Sequence, residues 1–403
     1  MFKFLPKRAV AVAAALCTSA VSLGAVAAPA TAASKPSFAI AFEGPLTVNS
    51  PQLGLNALYG VELAINEANA GQTFGKLPFT LSFVKKDDQG SATISPTVAE
   101  ELVSDPSVIG VVGPMYSSAT KAAEPTFSAH DLATVSPSAT NFALAHSGWH
   151  NFFRDVADDS IQGPADANYI VKTLHATNIV VANDASTYGA GLAATVAAQA
   201  KADHAKVTTE TFPGTTQCNA GSGSPTQYPD DAATIVSAKP QAVFYGGYYC
   251  DLGLLLGALH KAGYTGKVIS GDGSEDNALV TSTNPQSAAN GVYASCPCAV
   301  VGNTPRDKAF AAAFTKLAHF APAIYSPEAY DATNAIINAM KTLASGKSGT
   351  MAITRANVVT ELHKLSYVGI TKTIAFMADG NIAGTAIYVY QVRNGKFVEL
   401  GLE

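Results

Sequence analysis

Cysteine is scarce, five in 403 residues, and tryptophan occurs once. So few cysteines cannot supply the dense covalent framework of small secreted domains, and the fold must rest on a buried apolar core. Charge is thin as well: Asp, Glu, Lys and Arg make up 14% of the chain against 48% hydrophobic residues. That balance excludes a disordered polyelectrolyte and describes a globular protein long enough for two domains. Catalytic signatures are missing. There is no GxSxG nucleophile elbow, no HExxH and no paired-carboxylate signature, so no enzyme activity is expected. The eight His are scattered singly and no CxxC pair stands near one, which leaves no metal-ligand spacing. Neither metal nor cofactor is expected.

One long apolar run exists, and it stands at the start. Lys3, Lys7 and Arg8 precede an Ala-, Val- and Leu-rich stretch from Ala9 to about Ala28, followed by Ala30-Thr31-Ala32. This is the pattern of a secretory signal peptide over residues 1–32. A retained membrane anchor is the competing reading, but Thr18, Ser19, Ser22 and Gly24 break the run, and alanine contributes little apolar area. Cys17 follows Leu16 where a lipid-attachment cysteine needs a small residue, which favours free export, periplasmic or extracellular. Removing three of 25 basic residues leaves 22 against 30 acids, a net charge of −8. Nucleic acid and anionic membranes are poor partners for such a chain. Four cysteines remain, Cys218, Cys250, Cys296 and Cys298, an even number that outside the cell suggests disulfides in one of three pairings. Cys218 with Cys250 would tie a loop to a strand end and leave Cys296 to Cys298 across one proline.

From Ser37 short apolar strands alternate with amphipathic helices. Strands at 38–42, 79–84, 108–113 and 133–136 are separated by helices over 53–70, 93–104 and 119–129. After Phe152-Phe153-Arg154 the rhythm restarts, with a helix over 160–175 and strands at 178–182, 206–212, 242–245 and 267–270. Such alternation predicts parallel pairing and right-handed crossovers, hence an α/β protein with two doubly wound sheets. The remainder has too few strands for a third unit and must complete the other two. We expect one lobe from 38–155 with 299–373 and a second from 156–298 with 374–403, joined by several crossings that act as a hinge.

Polar groups recur at the carboxyl edge of the first sheet: Asp87-Asp88-Gln89-Gly90, Gly113-Pro114-Met115-Tyr116-Ser117-Ser118 and Ser136-Pro137-Ser138-Ala139-Thr140-Asn141. Helix-start amides point outward at such edges and suit small anions and zwitterions. Asp87 and Asp88 read as cap and edge-loop residues more readily than as a metal pair. Gly189 to Ala194 spells GxGxxA, but Asn183 to Tyr188 separate it from the strand, so it reads as a helix start presenting Tyr188 and not as a dinucleotide fingerprint. Tyr245-Gly246-Gly247-Tyr248 ends a strand; Tyr248 can face a cleft, whereas Tyr245 reads equally as core. Ser270-Gly271-Asp272-Gly273-Ser274 sets a carboxylate between glycines, either a simple turn or a partner for an ammonium group.

Together with Gly44-Pro45-Leu46, Gly60-Val61-Glu62-Leu63-Ala64, Gln162-Gly163-Pro164 and Ala329-Tyr330-Asp331-Ala332, these stretches resemble the branched-chain amino acid binding proteins of ABC importers, the type I periplasmic or extracellular solute-binding family. The resemblance covers nearly the whole mature chain. It implies a monomeric, hinged receptor that captures an amino acid or related carboxylate and delivers it to an ABC permease; a sensory receptor of the same fold is the alternative. It places the ligand carboxylate on Ser117, Ser138, Ala139 and Thr140, and the ammonium on Asp272, Tyr188 and Tyr248. Leu53 falls where an aromatic wall is usual, and Tyr325 forms another wall. Asp272 stands where the family carries Glu, and Gly90 and Tyr116 lie near the places of its first-lobe disulfide.

Overall fold

Strand β1 (Ser37–Gly44) is buried from Ala39 onward on both faces, as befits a central parallel strand with helices above and below. The computed structural model describes residues 35–214, 227–298, 302, 304–384 and 386–403. Helix α1 (Pro51–Asn69) leads to β2 (Thr80–Asp87), α2 (Ser95–Ser104) to β3 (Val108–Val112), and α3 (Ser117–Ala129) to β4 (Ala133–Ser136) and the short β5 (Phe152–Arg154). These strands form an all-parallel sheet in the order β2-β1-β3-β4-β5.

The second sheet starts after a crossing at residues 155–158. It is built from α4 (Asp159–Asn168), β6 (Asn178–Asn183), α5 (Thr187–Ala202), β7 (Lys206–Thr211), α6 (Gln227–Ser237), β8 (Ala242–Gly246), α7 (Tyr249–Lys261), β9 (Lys267–Ser270), α8 (Ala278–Ser282) and β10 (Tyr293–Cys296). Helices α9 (Pro305–Ala318), α10 (Ser326–Ala344) and α11 (Arg355–Leu362) return to the first sheet, where α10 lies along α1. The two helices approach closely because residue 60 is glycine; a Cβ there would fall 2.3 Å from the Ser326 carbonyl oxygen. A two-stranded ribbon, β11 (Tyr367–Val368) and β12 (Thr373–Ile374), precedes β13 (Tyr388–Arg393) and β14 (Lys396–Leu402). The second sheet runs β14-β13-β10-β9-β8-β6-β7. No helix among the described residues is long and apolar enough to cross a membrane.

Three features differ from the sequence expectation. The second sheet is not wholly parallel, because β13 pairs antiparallel with β10 and turns back through Asn394-Gly395, both at positive φ, into β14. Residues from 374 do not pass at once to the second sheet: Phe376 packs on Phe153 with ring centroids 4.9 Å apart, and the Arg154 amide donates to the Gly380 carbonyl at 3.0 Å. The chain therefore stays with the first sheet through Ile382. The helix expected over 160–175 also changes character, turning from α4 into a π-helical turn at Tyr169–Thr173.

Arg154 ends β5 fully buried and binds the crossing together. Its Nε donates to Asn381 Oδ1 at 2.5 Å, one terminal nitrogen donates to the carbonyls of Ala139 and Asn141 at 3.1 and 2.8 Å, and the other meets Asp158 Oδ2 at 3.0 Å. Asp158 in turn caps α4 by accepting from the Ser160 amide at 2.9 Å. Burial lowers the Arg154 pKa, and the Asp158 carboxylate opposes that effect. Replacing Arg154 with Met strands Asp158 and two carbonyls in the interior, and the expected cost is about 3–5 kcal/mol of stability, measured by urea denaturation. A loss below about 1 kcal/mol contradicts this account of the crossing.

Candidate functional site between the lobes

Adjacent parallel strands β3 and β4 bring their following loops side by side, and hydrogen bonds lock the two together. Ser138 Oγ donates to the Met115 carbonyl at 2.6 Å, Ser136 Oγ donates to the Pro114 carbonyl at 2.7 Å, and the Asn141 amide donates to Ser117 Oγ at 3.3 Å. Ser117 is the first residue of α3, so its hydroxyl lies beside amides that have no partner within the helix. This is the polar edge of the first lobe.

The facing edge comes from the loops after β8 and β9 and the start of α5. Ser186 caps α5 by accepting from the Gly189 amide at 2.9 Å, which fixes the helix start and presents Tyr188. The start of α5 presses on the end of β8: a Cβ on Gly189 would fall 2.3 Å from the Gly246 carbonyl oxygen. Glycine at both positions brings Tyr188 beside Tyr248, ring centroids 5.3 Å apart. Tyr188 Oη donates to Asp272 Oδ1 at 3.0 Å and accepts from the Gly273 amide at 2.9 Å. The second Asp272 oxygen accepts from Tyr325 Oη at 2.5 Å. Burial pushes the Asp272 carboxyl above the usual carboxylate range, and the nearby hydroxyls and Gln162 pull the other way.

Tyr325 belongs to the first lobe, since it precedes α10, and stands in the left-handed region at φ 66°. Its bond to Asp272 therefore spans the two lobes. So do the Asn141 side-chain amide donating to the Thr187 carbonyl at 2.8 Å, the Thr187 amide donating to Ser118 Oγ at 3.1 Å, and Asn56 donating to Asp276 at 2.9 Å. Tyr116 stacks on Tyr248 across the same gap at 4.1 Å. The lobes are closed. Between them lies a cavity of about 10 Å³ lined by Met115, Tyr116, Ser117, Ser138, Tyr188, Tyr248, Asp272 and Tyr325. That is space for about one water, so a larger guest enters only when the lobes part or the tyrosines turn.

Of the residues singled out in the sequence, Ser117, Ser138, Tyr188, Tyr248, Asp272 and Tyr325 meet at this cavity. Three do not. Leu53 is fully buried in the core beneath α1. Ala139 has its amide donating to Ser136 Oγ at 3.0 Å and its carbonyl accepting from Arg154. Thr140 is fully buried, its hydroxyl beside the Asp159 carboxyl. Met115 and Tyr116 were missed as walls, although their place between β3 and α3, next to Ser117, was a signal. Tyr245 is core. Asp87 behaves as an edge-loop acceptor, taking hydrogen bonds from the amides of Leu46 and Gln89 and from Thr47 Oγ1.

Cys296 and Cys298 are joined at the end of β10, Cα atoms 5.0 Å apart. Cys218 lies outside the described residues, and with it the proposed Cys218–Cys250 pairing. At Gly90 a Cβ would fall 2.6 Å from the Tyr116 ring, whose Oη donates to the carbonyls of Asn49 and Ser50 at 2.7 and 3.0 Å. Packing and hydrogen bonds thus join the loops here.

Residues 38–396 match the family model described as periplasmic binding protein. The chain belongs to the periplasmic binding protein family. It is 28% identical over 302 residues to the leucine-, isoleucine-, valine-, threonine- and alanine-binding protein of Pseudomonas aeruginosa, covering 74% of this chain and 76% of that one. Its fold is similar to the branched-chain amino acid transporter substrate-binding protein of Streptococcus pneumoniae solved with isoleucine (TM-score 0.76, 24% identity, 90% and 99% of the two chains). It is equally similar to a solute-binding protein of R. palustris solved with benzoate (TM-score 0.76, 17% identity, 91% and 96%). The two structural likenesses speak for the fold alone, and their ligands differ.

The Tyr325–Asp272 bond is expected to hold the lobes shut. Tyr325→Phe removes it with little change in volume, and we expect about 1.5–3 kcal/mol less stability for the closed form. Small-angle scattering should show a larger radius of gyration than for the parent protein; an unchanged radius contradicts that role.

Proposed function

We propose that this chain is an exported solute-binding protein that takes a small α-amino acid between its lobes and delivers it to an ABC importer. The carrying observation is that Ser117 and Ser138 from one lobe line the same cavity as Tyr188, Tyr248 and Asp272 from the other. A carboxylate suits the first set, where hydroxyls and helix-start amides stabilise it without a buried cation. An ammonium suits the second, where a buried acid can exchange a phenol donor for a charged one. The named ligands of the Pseudomonas relative, five small amino acids, support this size class. Export is supported by the basic and apolar pattern of residues 1–32.

Capture requires no bond to be made or broken, so we assign no reaction. Part of the binding energy must offset the tyrosine contacts that close the lobes, and the ligand then bridges both halves. A permease can distinguish loaded from unloaded protein by the spacing of the two halves, which a guest larger than the present cavity resets.

A thermal-shift screen over the common amino acids should find a ligand: one present at 100 times its dissociation constant stabilises the protein by about 2.7 kcal/mol. Asp272→Ala is expected to weaken that ligand by roughly 2–4 kcal/mol, read by calorimetry. Unchanged affinity removes Asp272 from the role of ammonium partner.

A further inference from the structure

Behind Asp272 lies a layer of carboxyl groups that the site as described does not use. Asp159 opens α4 fully buried, and the neutral group that bears on its carboxyl is the Thr140 hydroxyl. Asp166, two turns on, is also buried, with one oxygen unbonded. Gln162 lies on the same face of the helix; its amide nitrogen donates to Ser295 Oγ at 2.9 Å while its Oε1 has no partner.

The groups around this layer are nearly all acidic or neutral. Thr140 from the loop after β4, Asp158 and Arg154 from the crossing and Asp272 from the loop after β9 act on Asp159, and the Asn141 amide and Gly191 of α5 stand close by. Ser295 from β10, Asp159, Asp272 and the C-terminal residue Glu403 act on Asp166. Tyr188, Tyr325 and Gln162 surround Asp272. Among the described residues the cation that bears on Asp159 is Arg154, and its guanidinium is committed to Asn381, two carbonyls and Asp158. Burial is the largest influence on all three carboxyls and raises each, Asp159 to about 8 and Asp166 and Asp272 above the usual carboxylate range.

We propose that entry of the ligand's ammonium group beside Asp272 expels one proton from the Asp159–Asp166–Asp272 cluster, so that the site selects ligands carrying an amine and captures them with proton release. The inference rests on the amino-acid reading of the site. In the exchange one carboxylic O–H bond breaks, the proton leaves to solvent, and the ammonium keeps its own three protons and becomes the counter-ion of the new carboxylate. An acid without an amine has no cation to take the place of the released proton, so the cluster stays protonated and the acid gains no ion pair at Asp272. Fold likeness to a benzoate-bound protein therefore does not extend to benzoate as a guest here.

The direction with pH follows. Below about 8, where Asp159 carries its proton in the unliganded protein, ligand binding must remove that proton, and affinity falls with acidification by up to about tenfold per pH unit. Above that range the proton is already gone and the dependence flattens.

Calorimetry of L-leucine and L-alanine at pH 7, in phosphate and in imidazole, counts the protons. The expected result is a buffer-dependent enthalpy equivalent to about one proton released, and binding weaker by up to about tenfold at pH 6.5 than at 7.5. Isocaproate and propionate, the same acids without the amine, should bind at least about a hundredfold more weakly, the order expected when a buried charge-assisted pair cannot form. In Asp159→Asn, checked for folding by circular dichroism, the proton count should drop and the pH profile flatten. Infrared difference spectra of the parent protein supply a second readout, a protonated-carboxyl carbonyl band that disappears when leucine is added. Amino-acid binding with equal enthalpies in both buffers, or isocaproate binding as tightly as leucine, overturns the inference and leaves the amino-acid reading standing. Binding of the amine-free acids alone, or of no compound in the panel, removes both.

Discussion

Two phenols from opposite lobes converge on one buried carboxyl group, and the closed arrangement depends on that meeting. Asp272 sits on a glycine-flanked turn after β9, where it is almost inaccessible to solvent. Its two oxygens accept from Tyr188, on its own side, and Tyr325, from the other. A carboxyl group at this depth is costly unless its acceptors are filled. Closure fills one of them, so the same atoms that make the site receptive to an ammonium group make the lobes cohere. On the proposed reading a ligand competes with a tyrosine for Asp272, and selectivity includes the energy of that exchange.

The crossing at Arg154 is a second fixed point of the closed arrangement. Its guanidinium gathers the loop after β4, the cap of α4 and the 379–381 turn into one unit. The carbonyls of Ala139 and Asn141 are held there, so the Pro137–Asn141 loop is positioned from behind while Ser138 faces the cleft. Ala139 and Thr140 shape the site without lining its cavity.

Much of this was legible in the residues because parallel sheets announce themselves. Short apolar runs between helices located most of both sheets, polar turns and helix starts at their carboxyl edges located five of the cavity residues, and Tyr325 came only with the family resemblance. What could not be read were orientations. Leu53 begins a helix as a wall residue should, yet its side chain turns into the core. Ala139 sits in the right loop, but local hydrogen bonds occupy its amide. Phe376 stays with the first sheet because a ring, Phe153, waits there from 223 positions earlier in the chain, a pairing no local pattern reveals. The β13–β14 hairpin, by contrast, carried a signal in Asn394-Gly395 that periodicity alone passed over. Asp159 and Asp166 had no motif at all; their significance comes from burial beside Asp272, with the nearby Arg154 committed to other partners.

The contact of Gly90 with the Tyr116 ring has a consequence for how the upper rim of the cleft withstands its surroundings. A covalent cross-link would make the shape of that rim depend on the oxidant available during maturation and expose it to thiol exchange afterwards. An aromatic plug secured by two backbone acceptors carries no such dependence. Reductants that open the Cys296–Cys298 ring in the other lobe have no bond to attack at this one, so the mouth that faces incoming solute keeps its form across redox conditions.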